Sequence, residues 1–392
     1  MNMELDDIKK LFESGRINFL FGSGLSIPYL STLGSIEERL TELNNLPKND
    51  ENTILTASVY RQYFNNVIWP NHKNVINHLT GDDRDKYSKV LHNYESFLGT
   101  MNLLVAKRQV PLLSKKINIF STNIDMFIER ASCSKGIELN DGFRGHMDTR
   151  FDEDNFSKIL SKESLHYQKV SEIPTFNYIK IHGSSNWIDN GTTNEITSDD
   201  SLEQVKRIKD AIDELPDDDF INVIDSTKTI DELTASARTV MTKDSFSIDS
   251  YKKFMTEYEK IVMVNPNKRK FSTTVLDMHF YELLRLFSNA LEQPNALLLV
   301  AGFSFADEHI AQMTVRAANN NPTLQIIVFS YESGAKTAII NNLSKGGSFR
   351  NNNVKFLAPE DVTVNGQKIN DLDKFDLESI TDKILNKIAN SI

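Results

Sequence analysis

Short apolar runs alternate along this chain with longer stretches of three-to-four-residue hydrophobic spacing. The runs at residues 17–21, 117–121, 178–181, 261–264, 296–301, 324–329 and 354–357 are mostly continuous rather than alternating, which predicts strands covered on both faces. With helical patterns between them, they predict a doubly wound α/β fold on a parallel sheet of about six or seven strands. Two stretches break that rhythm. Residues 35–115 carry Val59, Tyr60, Tyr63, Phe64, Val67, Ile68 and Trp69 at helical spacing and predict an inserted helical subdomain. Residues 189–260 turn acidic and rich in Ser, Thr and Asp, including Asp217-Asp218-Asp219, and predict an acidic surface insertion. The core is then expected in residues 1–34, 116–188 and 261–360. A tail over 361–392, with Leu377, Ile380, Ile384, Leu385 and Ile388 at helical spacing, reads as a packed terminal helix or an oligomer contact.

Composition narrows the function classes. In 392 residues, 40% hydrophobic and 25% charged positions exclude wholesale disorder. Lys and Arg total 44 against 54 Asp and Glu, a net charge of −10, so no direct nucleic-acid binding is expected from charge. Cys133 is the one cysteine, which excludes an internal disulfide and a four-thiolate zinc site. The start, Met1 to Asp7, lacks the basic and apolar run of a leader, and the longest apolar stretch, residues 296–303, is far short of the roughly 20 that span a bilayer. A cytoplasmic protein without membrane contact is expected.

Chemistry concentrates where the expected strands end. The first ends in Gly22-Ser23-Gly24-Leu25-Ser26; two glycines let a backbone approach a pyrophosphate, and the following helix start supplies N–H groups, unless the motif is only a tight βα turn. Ile27 stands where a dehydrogenase fingerprint has its third glycine, which disfavours hydride chemistry. The second ends in Ser121-Thr122-Asn123-Ile124-Asp125. Helix capping accounts for Thr122 and for Asp125, but it does not need Asn123. His182-Gly183 ends the third, a position suited to a general base or to a hydrogen-bonded structural histidine. Gly302-Phe303-Ser304 ends a fourth. Gly302 and Ser304 either face a ribose or phosphate, or Ser304 and Asp307 cap the next helix while Phe303 and Phe305 pack. A fifth end offers Tyr331 to an adenine face and Glu332 to ribose hydroxyls.

In order and spacing the first four ends resemble the sirtuin superfamily. Gly22-Ser23-Gly24-Leu25-Ser26 is similar to its glycine-alanine-glycine-x-serine loop, and Thr122-Asn123-Ile124-Asp125 to its threonine-glutamine-asparagine-isoleucine-aspartate motif. His182-Gly183 matches its histidine-glycine pair, and Gly302 and Ser304 fall in its glycine-threonine-serine segment. The zinc module of the protein deacylases is absent, as is the arginine that follows their proline. Leu139-Asn140-Asp141-Gly142-Phe143, Val264-Asn265-Pro266 with Lys270-Phe271, Tyr281-Glu282-Leu283-Leu284-Arg285 and the stretch from Gly302 to Ile310 look closer to bacterial sirtuin-like proteins of antiphage defence that degrade NAD. The length resembles the sirtuin subunit of sirtuin–HerA systems, sometimes called Nezha.

The resemblance implies a Rossmann-like core, NAD as substrate, no metal, a ring-like homo-oligomer and a HerA-type hexameric ATPase partner. It also implies a site. Asn123 would hold the ribose hydroxyls or a water, His182 would take the water's proton, and Asp125 would offer negative charge or fix the ribose. Gly22, Ser23, Gly24, Ser26, Thr122, Gly302, Ser304, Tyr331 and Glu332 would hold the rest of the dinucleotide. Nicotinamide leaves neutral, so no general acid is required, and the demand is to stabilise an oxocarbenium-like ribose. Two other readings stay open: a non-catalytic NAD- or ADP-ribose-binding regulatory subunit, and a nuclease subunit of the same ATPase complex. The first would release no nicotinamide; the second would need a carboxylate-held metal.

Overall fold

The computed structural model describes residues 2–32, 36–108, 110, 113–146, 149–166, 168–189, 195–225, 227–244, 246–264 and 278–392. In chain order its main strands are β1 (Arg16–Phe21), β2 (Lys116–Ser121), β3 (Leu139–Asn140), β4 (Thr175–Lys180), β5 (Gly183–Asp189), β6 (Ile196–Ser198), β7 (Ile261–Met263), β8 (Ala296–Ala301), β9 (Gln325–Phe329) and β10 (Val354–Leu357). The main helices are α1 (Leu5–Ser14), α2 (Ile36–Leu43), α3 (Asp50–Tyr63), α4 (Gly81–Lys107), α5 (Phe127–Lys135), α6 (Glu203–Asp213), α7 (Ile230–Met241), α8 (Ile248–Tyr258), α9 (Met278–Glu292), α10 (Glu308–Asn320) and α11 (Ser333–Lys345).

Seven strands form one sheet in the order β10-β9-β8-β1-β2-β4-β3, each pair parallel. Helices cover both faces, as the continuous apolar runs require. On one face Phe19 and Phe21 meet Phe97 of α4, beside Phe127 of α5 and the C-terminal tail. On the other, Leu20, Phe120, Leu298 and Val300 pack under α9, α10 and α11. The doubly wound α/β fold is therefore present.

One expected strand lies elsewhere. The apolar run at 261–264 predicts a strand of the parallel sheet, but β7 pairs antiparallel with β5, which also pairs with β6, in a separate three-stranded sheet. An apolar run reports burial on two faces and says nothing of direction. The parallel sheet gains the two-residue β3 instead, too short to stand out by pattern.

Register across four strands is fixed by asparagines at matching positions. The Asn118 amide donates to Asn18 Oδ1 (2.8 Å), Asn177 to Asn118 Oδ1 (3.0 Å) and Asn140 to Asn177 Oδ1 (3.1 Å). These residues are also direct strand neighbours. A one-residue slip would break every link.

The acidic stretch from about residue 189 differs from its surface reading. Amphipathic α6, α7 and α8 turn charges outward and bury Val205, Ile208, Leu233, Tyr251 and Phe254 in a second core with Ile54, Val59 and Phe64. α4, by contrast, packs on the parallel sheet: Val90, Tyr94, Phe97, Leu98 and Met101 are buried in the main core. The five apolar tail residues are buried within the chain, where Lys107 Nζ donates to the Ala389 carbonyl (2.7 Å). Among the described residues, no helix is long and apolar enough to cross a membrane.

Candidate functional site

The chain leaves β1 toward β2 and leaves β8 toward β9, although β1 and β8 are neighbours. Such a reversal opens a crevice outside the carboxyl ends of the two strands, the usual ligand position in open α/β sheets. The loop from β1 and the loop from β8 cross there. A Cβ on Gly22 would stand 2.4 Å from the Gly302 carbonyl oxygen, and one on Gly302, at φ +64°, would stand 2.7 Å from Leu25 Cγ. The Gly22 N–H donates to Ala301 O (3.2 Å) and the Gly24 N–H to Gly302 O (3.0 Å). These glycines thus serve the backbone crossing; the Gly22 and Gly24 amides are committed within the protein rather than held out as anion donors. Gly22→Ala is expected to lower stability by about 1–3 kcal/mol, read as an earlier midpoint in urea unfolding with unchanged slope.

The β2 end delivers Asn123 behind that crossing. Its backbone N–H donates to Ser121 Oγ (3.0 Å) and its Nδ2 to Gly22 O (3.1 Å). The residue is buried, and among the described residues its Oδ1 has no hydrogen-bond partner. An orphaned buried acceptor is costly, and a ligand hydroxyl supplies the missing donor. Asp125, also buried, accepts from Ser26 Oγ at Oδ2 (2.6 Å) and from the Phe127 N–H at Oδ1 (3.2 Å). Both oxygens are engaged, which gives Asp125 the work of fixing the glycine loop and the start of α5. Tyr94 lies 3.3 Å from Ser26 Oγ; burial first, then the Asp125 charge, holds its phenol well above the ordinary value and hence neutral.

Beneath this loop is a charge pair that sequence reasoning passed over. Lys180, the last residue of β4, donates from Nζ to Asp125 O (2.6 Å) and Ser184 Oγ (2.6 Å) and pairs with Glu129 Oε1 (2.5 Å). Burial pushes the Glu129 carboxyl up, and Lys180 opposes that shift. A lysine within an apolar strand run is the signal that was available, since a buried ammonium needs partners.

His182 follows two residues later. Its Nε2 is 3.1 Å from Asp307 Oδ2, while Asp307 Oδ1 accepts the His309 and Ile310 N–H groups (3.0 and 3.3 Å) at the start of α10. Asp307 is the helix cap that the sequence suggested and also the orienter of His182. With Nε2–H donating to the carboxylate, Nδ1 becomes the nitrogen able to accept a proton. Gly183, at φ +75°, turns the chain where a Cβ would stand 2.2 Å from Val262 O.

Hydrogen bonds thus pair Gly22 with Asn123, Gly24 with Gly302 and Ser26 with Asp125, and Asp307 ties His182 to the loop that Gly302 begins. Ser23 and Ser304 are exposed, and the half-buried Thr122 donates weakly to Phe21 O (3.4 Å). Tyr331 and Glu332 follow the end of β9, two strands from β1. Their surroundings include the C-terminal tail, where the Phe375 N–H donates to Tyr331 O (2.9 Å) and Lys374 Nζ lies 5.9 Å from the Tyr331 ring centre. Asn140 belongs to the register ladder, and Asp141 accepts the Phe143 N–H (3.1 Å) in a turn. Asn265-Pro266 and Lys270-Phe271 lie outside the described residues. Among the described residues, no group of three or more His, Cys, Asp or Glu is placed to hold a metal ion.

No match is found among curated proteins. The family model described as a SIR2-like domain matches residues 117–355, more than half of the chain, from β2 through β10. Domains of that kind bind NAD, and the described residues offer a group that suits a ribose hydroxyl: the buried Asn123 Oδ1, which has no hydrogen-bond partner among them. The chain belongs to the SIR2-like domain family.

Proposed function

We propose that this protein is a sirtuin-like NAD+ hydrolase that cleaves NAD+ to nicotinamide and ADP-ribose. The observation that carries the reading is the unpartnered Asn123 Oδ1, buried at the same sheet edge as the His182–Asp307 pair. Asn123 accepts a ribose hydroxyl or holds the attacking water. The N-glycosidic bond breaks with its electron pair passing to the nicotinamide nitrogen, which leaves neutral. The water oxygen bonds to the anomeric carbon, and its proton passes to His182 Nδ1. Asp307 keeps the imidazole in the accepting tautomer and stabilises the charge it gains. Binding at the crossed loops of β1 and β8 orients the reacting bond.

The same proposal covers the setting that the resemblance implies: NAD depletion in bacterial antiphage defence, in the cytoplasm, by a ring-like homo-oligomer in complex with a HerA-type ATPase. The test is chromatography of NAD+ incubated with the protein, alone and with that ATPase. Nicotinamide and ADP-ribose are expected in equal amounts, and His182→Gln is expected to slow their release by about 10²- to 10⁴-fold. Binding of NAD+ without any nicotinamide release in either condition would favour the regulatory-subunit reading instead.

A further inference from the structure

Resting on the hydrolase reading, we propose that Lys180 is a positioning residue: its ammonium fixes the Asn123-bearing loop against the strand that leads into His182. The loop from 122 to 126 has no regular secondary structure. Its footing is a set of bonds to the β4–β5 segment. The Ile124 carbonyl accepts the Ser185 N–H (3.0 Å), and the Asp125 carbonyl accepts from Lys180 Nζ (2.6 Å). The ammonium also donates to Ser184 Oγ (2.6 Å), which in turn donates to Asn186 Oδ1 (2.6 Å) on β5. Glu129, in the first turn of α5, supplies the opposite charge. One buried cation thereby links the Asn123 loop, the helix after it, the end of β4 and the start of β5.

Stability alone does not ask for this arrangement, because buried ion pairs are commonly matched by apolar residues of similar size. Geometry does. His182 lies two residues beyond Lys180 and Asn123 two residues before Asp125, so the bond from Lys180 to the Asp125 carbonyl sets the spacing of the amide and the imidazole. Misplacement by about 1 Å at a reacting centre costs on the order of a hundredfold in rate.

Lys180→Met alone strands the Glu129 carboxyl, so the deciding variant is Lys180→Met with Glu129→Gln, which removes both charges and keeps both volumes. It is expected to melt cooperatively and to hold its Kd for NAD+ within about threefold, with kcat lowered about tenfold to a hundredfold and KM nearly unchanged. Amide exchange across 122–126 is expected to quicken. Ser184→Ala keeps the charge pair, removes one ammonium acceptor, and is expected to lower kcat by about two- to tenfold. It decides the matter by the same readouts should the double variant not fold. Wild-type kcat, a loss confined to KM, or unchanged exchange in the loop would overturn the proposal. If the wild-type protein releases no nicotinamide either alone or with the ATPase, the hydrolase reading fails on its own, and loop exchange still decides whether Lys180 pins the segment.

Discussion

Asn123→Ala is expected to abolish nicotinamide release, with kcat falling by at least about 10³-fold, while thermal stability changes little. The two halves of this expectation have separate causes. The substitution loses the Nδ2 bond to the Gly22 carbonyl, worth about 1 kcal/mol. It also removes Oδ1, a buried acceptor that the folded protein leaves unpaired at a cost of about 1–3 kcal/mol. The terms oppose each other, so the melting temperature should shift by only a few degrees in either direction. Activity has no such compensation. A group that is poorly satisfied at rest and paired when substrate binds contributes to the reaction rather than to folding. Calorimetry beside a nicotinamide assay checks both halves; a large drop in stability with activity retained would make Asn123 structural.

The second large effect concerns Asp307. Asp307→Asn is expected to lower kcat by about 10³- to 10⁴-fold and to leave stability within about 0.5 kcal/mol. Asparagine caps a helix as well as aspartate does, so Oδ1 keeps its bonds to the His309 and Ile310 amides. The atom that changes is the one facing His182. An NH₂ group there meets the Nε2–H donor to donor, so the ring must shift its proton to Nδ1. The nitrogen that should accept the water's proton is then already occupied. Asp307→Ala loses the cap as well and is expected to cost about 1 kcal/mol in addition. Equal activity in wild type and Asp307→Asn, measured by initial rates of nicotinamide release, would leave Asp307 as a cap alone.

Much of the scaffold was legible because burial on both faces leaves continuous apolar runs, and residues 17–21, 117–121, 296–301 and 354–357 are strands of one parallel sheet. The strand ends were legible because polar residues stop those runs abruptly. Direction and partnership were not. Residues 261–264 give an apolar run like the others, yet they pair antiparallel with the strand beyond His182. The acidic stretch hid its core because three amphipathic helices average to a polar composition over such a window. Asp307 read as a cap because a cap uses only one carboxylate oxygen, and a sequence does not show what the second one meets. The asparagine ladder did leave a partial trace, since Asn18 and Asn118 each stand second in the runs at 17–21 and 117–121, while Asn177 falls just before the run at 178–181. So did Lys180, a cation in a strand with no exposed face.

The central claim is that the ends of β1, β2, β4 and β8 build one dinucleotide site with Asn123 and His182 at its reacting end. A crystal structure of the His182→Ala variant grown with NAD+ tests it most directly. The expected result places the dinucleotide over the crossing of the Gly22 and Gly302 loops, with a ribose hydroxyl or an ordered water on Asn123 Oδ1 and the anomeric carbon beside the space vacated by the imidazole. NAD+ seated on another part of the molecule, with Asn123 Oδ1 still unpaired, would contradict the account.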